Sequence, residues 1–155
     1  MKLKSRVDIT AKPENIYPMF LNAQMDERIP FVFRFGLPKA VSCSIIKGDG
    51  SAGSVRRCIT TRGYMDQIID VAQKPHHFVY HLVESDYWGQ PHIGHVSDTI
   101  SIETLPDGRS RVTRVTDFSA RGWLKIFATP IMALGFYFAH SYANQNWRRI
   151  AESRE

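Results

Sequence analysis

At the start of the chain, Leu3, Ser5, Val7 and Ile9 alternate with Lys4, Arg6, Asp8 and Thr10. A period of two with one apolar face predicts a half-buried strand. The next segment, Ala-Lys-Pro-Glu-Asn-Ile-Tyr, predicts a short helix with Pro13 in its first turn, where a missing N–H costs little. Pro18 interrupts that helix, so the reading is a kink or a second short helix running towards Ile29. Pro30 and Pro38 bracket an aromatic connector, Phe31-Val-Phe-Arg-Phe35.

Short strands follow in quick succession. Val41, Cys43 and Ile45 alternate with small or polar residues up to the turn Lys-Gly-Asp-Gly-Ser. Val55 to Thr61 and Met65 to Val71 are the next two, and Lys74-Pro75 breaks the chain before Phe78, Tyr80 and Leu82. A loop over 84–92 carries Tyr87, Trp88, Gly89 and Pro91, placed to border a cavity mouth or simply to pack the loop. Val96, Ile100 and Ile102 define a sixth strand, and Leu-Pro-Asp-Gly at 105–108 is a hairpin turn leading into Val112 to Phe118. Strands joined by tight turns are antiparallel neighbours.

From Gly122 to Glu155 the pattern changes to one long helix, apolar nearly all round at its start and amphipathic at its end. Met132, Phe136, Ala139, His140, Ala143, Trp147 and Ile150 fall on one stripe, which should face the sheet. Ile131, Leu134 and Phe138 lie opposite. The preceding helices and the connector with Phe31, Phe33 and Phe35 are expected to cover them; left bare, they invite peripheral membrane contact or a homodimer. The longest uncharged apolar run, Ile126 to Ala139, is shorter than the ~20 residues a bilayer requires, so no transmembrane span is expected.

The predicted class is α+β: a curved antiparallel sheet of about seven strands wrapped round a long C-terminal helix, with two short helices after the first strand. The 155 residues make a single domain, 1–155. Its formal charge of +5 is spread over residues such as Lys2, Arg6, Arg56, Arg57, Arg148 and Arg149. Without a basic block, nucleic acid is not expected as a partner. Cys43 and Cys58 are read as two reduced thiols of a cytoplasmic protein, since one pair without C-x-x-C spacing argues little for an oxidising compartment. No P-loop, dinucleotide fingerprint or Gly-x-Ser-x-Gly motif is present, and no cofactor is expected. His77 and His81 share only the outer face of a strand and lack a third ligand, so no metal is expected either.

The strand followed by Ala11-Lys-Pro-Glu-Asn-Ile-Tyr17 resembles the opening of the helix-grip (START/Bet v 1-like, SRPBCC) superfamily, commonly Ala-x-Pro-Glu-x-Val-Trp. Gly108-Arg-Ser-Arg-Val-Thr-Arg-Val-Thr-Asp-Phe118 resembles its Gly-x-Thr-Arg-Val-x-Trp-x-x-x-Phe strand, and Asn146-Trp-Arg-Arg-Ile-Ala-Glu152 its Leu-Lys-x-x-x-Glu close. Tyr17 stands where tryptophan is usual, and Arg114 where an aromatic is common. The nearest branch is the polyketide cyclase/dehydrase and lipid-transport group. The resemblance implies a hydrophobic ligand held between sheet and helix, in proteins of which only some are enzymes.

Strand parity nominates the cavity wall. Val96, Asp98, Ile100 and Ile102 should face inward, as should Val112, Arg114, Thr116 and Phe118 on the next strand. Asp98 and Arg114 then meet opposite or one step diagonal, either as an anchor for a ligand carboxylate or carbonyl or as a structural ion pair. Phe78, Tyr80 and Leu82 should share the inner face, as should Met65, Gln67, Ile69 and Val71. The candidate ligand-binding residues are Tyr80, Leu82, Asp98, Ile100, Arg114, Thr116, Phe118, Met132, Phe136 and His140, and none is assigned a catalytic role. The leading expectation is binding or transport of a small hydrophobic or lipid-like ligand. The alternatives are a cofactor-independent aromatase/cyclase or dehydrase acting on a polyketide-like substrate, and an interaction module using the C-terminal helix.

Overall fold

The computed structural model describes residues 1–154. Strand β1 (Lys2–Ile9) is followed by α1 (Pro13–Leu21), a single helical turn α2 (Phe31–Arg34), and six strands. These are β2 (Ala40–Lys47), β3 (Val55–Thr60), β4 (Gly63–Gln73), β5 (His77–Ser85), β6 (Ile93–Thr104) and β7 (Ser110–Ala120). Helix α3 (Lys125–Glu152) ends the chain, starting three residues later than the pattern suggests, while Glu155 lies outside the described residues. The seven strands form one antiparallel sheet in the order β1-β7-β6-β5-β4-β3-β2, with α3 against β1 and β7.

Alternation sets the buried face. Asp98, Ile100, Ile102, Val112, Thr116, Phe118, Phe78 and Tyr80 are all buried, as parity requires. Strand β4 departs from it. The register shifts between Ile69 and Val71, so Val71 pairs with the outward Val79 while Ala72 pairs with Phe78 and joins the core. Val71 is therefore not an inward residue: the irregularity, invisible in a period-two pattern, swaps the faces beyond it.

Pro18 does not divide the first helix. Both Pro18 and Glu14, whose carbonyl loses its partner, face solvent, so α1 runs through to Leu21. No second helix runs towards Ile29; the helical turn begins at Phe31 instead. The connector after α1 is tied down at Asp26. Its carboxylate takes bonds from Tyr142 of α3, from Arg149 at 2.5 Å and from Arg28 at 3.0 Å, and Lys39 donates to the carbonyls of Asp26 and Arg28. Farther along, Leu37 lies against Gly135, where an added Cβ would meet its Cδ2 at 2.9 Å. Gly135 thus admits the connector to the helix.

Cys43 and Cys58 are not two free thiols. They stand directly opposite each other on β2 and β3 and form a disulfide. Sequence spacing carries no information on which strands pair, and the register decides it. The bond closes a loop of 15 residues, for which chain entropy gives a stabilisation of about 3 kcal/mol. Dithiothreitol should lower the urea midpoint accordingly, and Cys43→Ser with Cys58→Ser should remove that sensitivity; an unchanged midpoint would contradict the assignment.

Candidate functional site

The register lines up Tyr80, Asp98 and Thr116 across β5, β6 and β7, and His140 of α3 closes over them. Asp98 is 3% exposed. Its oxygens accept two bonds from Arg114, at 3.0 and 2.7 Å, one from the Tyr80 hydroxyl at 2.8 Å, and one from Thr116. Arg114 pairs with Ile100 in the ladder, so it reaches Asp98 along the diagonal. Burial alone would raise the Asp98 carboxyl, but the opposing Arg114 charge and these donors hold it down at about 2. Burial and the Asp98 charge push the Tyr80 hydroxyl up to about 12.

The proton positions follow by elimination. Thr116 spends its only proton on Asp98, so its 2.7 Å contact with His140 Nε2 requires an N–H on that nitrogen. Nδ1 is then an acceptor, satisfied by the Ser5 hydroxyl at 2.9 Å. The ring is neutral, in agreement with a pKa lowered to about 3 by burial and the Arg114 charge against the opposing pull of Asp98. Four bonds fill the lone pairs of Asp98, and both His140 nitrogens are occupied. This cluster satisfies itself.

Arg56 of β3 is the residue that sequence reading missed. Counted among scattered bases, it is 2% exposed and has no carboxylate partner among the described residues. It donates to the carbonyls of Phe20 and Leu21 at 2.6 and 3.1 Å and to Gln67 at 3.0 Å. Those carbonyls end α1, whose last turn has no basic residue of its own, so Arg56 caps it from the sheet. Its guanidinium also stacks over Tyr80 at 4.3 Å and Phe78 at 5.2 Å. On β3 the apolar Val55 and Ile59 alternate with Arg56, so hydropathy points the wrong face inward.

Around Arg56 and Arg114 the core contributes several aromatic rings. Phe20 packs on Trp147 at 4.4 Å, Tyr17 on Phe78 at 5.7 Å, and Arg114 lies 5.8 Å from the Trp147 ring. Two buried donors there, the Tyr17 hydroxyl and Trp147 Nε1, have no hydrogen-bond partner among the described residues. Neither is among the candidate ligand-binding residues read from the sequence, where Tyr17 stands at a usual tryptophan position and Trp147 on the sheet-facing stripe; a missing partner shows only once neighbours are known.

The remaining candidates fall in other layers. Ile100 is buried in the apolar core. Phe118 meets Phe136 at 4.8 Å one step beyond the polar cluster, and Leu82 and Met132 are half-buried. Tyr87 ties its loop to the connector by a 2.7 Å bond to the Gly36 carbonyl, while Trp88 remains exposed. His77 bonds Ser101 and His81 bonds Asp70. Among the described residues no group of His, Cys, Asp and Glu could hold a metal. The surface hollows described lie outside the sheet–helix interior, lined by residues such as Arg6, Asp8, Arg111 and Thr113.

A curved seven-stranded sheet gripping one long helix over a buried polar cluster defines a helix-grip protein, and solved structures agree. A START superfamily protein from Mycobacterium smegmatis superposes with a TM-score of 0.71 at 12% identity, covering 99% of each chain. Ara h 8.0201 gives 0.68 at 17% identity, over 99% of this chain and 98% of that one. A Thalictrum norcoclaurine synthase point mutant in complex with a transition-state analogue gives 0.64 at 13% identity, over 99% and 95%. No family model and no curated protein sequence matches. The protein therefore has the fold of the START/Bet v 1-like superfamily.

Proposed function

We propose that the protein binds, and carries, a small hydrophobic or lipid-like molecule between sheet and helix, with a carboxylate or carbonyl at its polar end. The observation that supports this most is the pair of partnerless buried donors, Tyr17 and Trp147, beside two arginines and one carboxylate. A buried N–H or O–H without an acceptor costs about 1–3 kcal/mol, and the spare positive charge favours an acceptor that is also an anion. Asp98 and Arg114 then act as the structural pair that fixes this wall, since Asp98 has no lone pair left for a ligand.

Tyr17→Phe and Trp147→Phe test the reading together. Tyr17→Phe removes a lone donor while keeping the ring, so that unliganded variant should be as stable as wild type or more so by about 1 kcal/mol, whereas Trp147→Phe also deletes part of a buried ring and should lose some stability to the space left behind. Uptake of a fluorescent fatty acid should nevertheless weaken roughly tenfold in each, one hydrogen bond to a charged acceptor being worth about 1.5–3 kcal/mol. Unchanged uptake in both variants would contradict the acceptor site. The second reading, a cofactor-independent cyclase or dehydrase, draws on the convergence of Tyr80, Asp98 and His140 and on a synthase among the structural neighbours. It is the weaker one: a general acid or base needs a free position, and Asp98 and His140 have none. The Cys43–Cys58 disulfide removes the reduced-thiol basis for a cytoplasmic location, and a homodimer is the competing use of the α3 flank.

A further inference from the structure

We propose that the solvent-facing flank of the first half of α3 docks the protein on an anionic lipid bilayer. Phe127, Ile131, Leu134 and Phe138 recur every three or four residues, which makes one stripe. They are 70%, 71%, 57% and 38% exposed, and Trp123, in the turn leading to the helix, is 87% exposed. The expected cover does not form. Phe33 turns inward onto Tyr142 and Leu37 occupies Gly135, while Phe31 and Phe35 stack on each other at 4.6 Å and stay in solvent themselves. An apolar stripe of this extent, tipped by tryptophan, suits the interfacial zone of a membrane, where that ring prefers to lie.

Charge selects the occupant. From Phe118 to Ala151 the chain has no Asp or Glu. Arg121 and Lys125 flank the stripe's start, both exposed and without an acidic partner among the described residues. The first turn of α3 also lacks an acid and a side-chain cap, leaving the positive end of the helix unscreened. The same stretch of a second copy carries no acid to meet these cations, whereas acidic headgroups complement them. The contact proposed is a shallow one, and among the described residues no helix is long and apolar enough to cross a membrane.

Flotation with vesicles tests this without any ligand, so its failure and that of the ligand reading are separable. Wild type should float with vesicles of phosphatidylcholine containing about 30 mol% phosphatidylserine and bind pure phosphatidylcholine about tenfold more weakly. The double variant Phe127→Ser, Ile131→Ser, changed only at exposed positions, should keep its melting temperature and lose binding to both by about tenfold or more. Arg121→Glu with Lys125→Glu should abolish the preference for the acidic vesicles. Wild type that fails to float, or serine variants that float equally well, would overturn the proposal. So would a wild-type dimer, seen by sedimentation, that the serine variant converts to monomer.

Discussion

Asp98→Ala should destabilise the protein by about 3–5 kcal/mol, the cost of stranding a buried charge without its partner. Among the described residues the carboxylate is the only anion bonded to the largely buried Arg114, and it also accepts from Tyr80 and Thr116. Its loss leaves a guanidinium and two hydroxyls short of an acceptor inside the core. Asp98→Leu combined with Arg114→Met removes both charges and keeps the volume, so the double variant should be more stable than Asp98→Ala. Urea unfolding of the variants measures it. Asp98→Ala within about 1 kcal/mol of wild type would show that the pair is solvated and the account of the core wrong.

Acid should destabilise the fold through His140. The group is neutral in the folded state, with its pKa lowered from 6.5 to about 3. The unfolded chain therefore binds the proton first. Stability is complete above pH 6.5 and falls as pH drops towards 3, by on the order of 5 kcal/mol in all and about 1.4 kcal/mol per pH unit. Asp98, lowered from 3.8 to about 2, adds its own loss only below pH 4. Urea midpoints taken between pH 6.5 and 4.5 should therefore decline steadily in wild type. His140→Gln, which can still reach Thr116 and Ser5, should be nearly flat over that interval. A flat wild-type profile would mean that the imidazole is accessible to water.

Much of this arrangement is legible in the sequence, because alternation along β6 and β7 is regular. The polar Asp98 and Arg114 stand out against Ile100, Ile102, Val112 and Phe118, and counting back from the turn at Asp107 brings them together. What the chain does not reveal are features that depend on register or on partners distant in sequence. Arg56 is buried because the end of α1 offers it carbonyls. Cys43 meets Cys58 because β2 and β3 pair in one register and not the next. Val71 turns outward because of one irregularity in β4. The bare flank of α3 was visible as a stripe, but whether the connector covers it depends on which way three phenylalanines turn. Only Phe33 turns in.

The claim at the centre of this account is that the interior, with its two unanswered donors, exists to receive a ligand. Native mass spectrometry of the protein as purified tests it most directly. The expected result is an adduct that dissociates on unfolding, with the mass of a lipid-like molecule bearing a carboxylate or carbonyl, and lost in the combined Tyr17→Phe, Trp147→Phe variant. A bare chain mass, together with no uptake of any fluorescent fatty acid by the wild type, would contradict it.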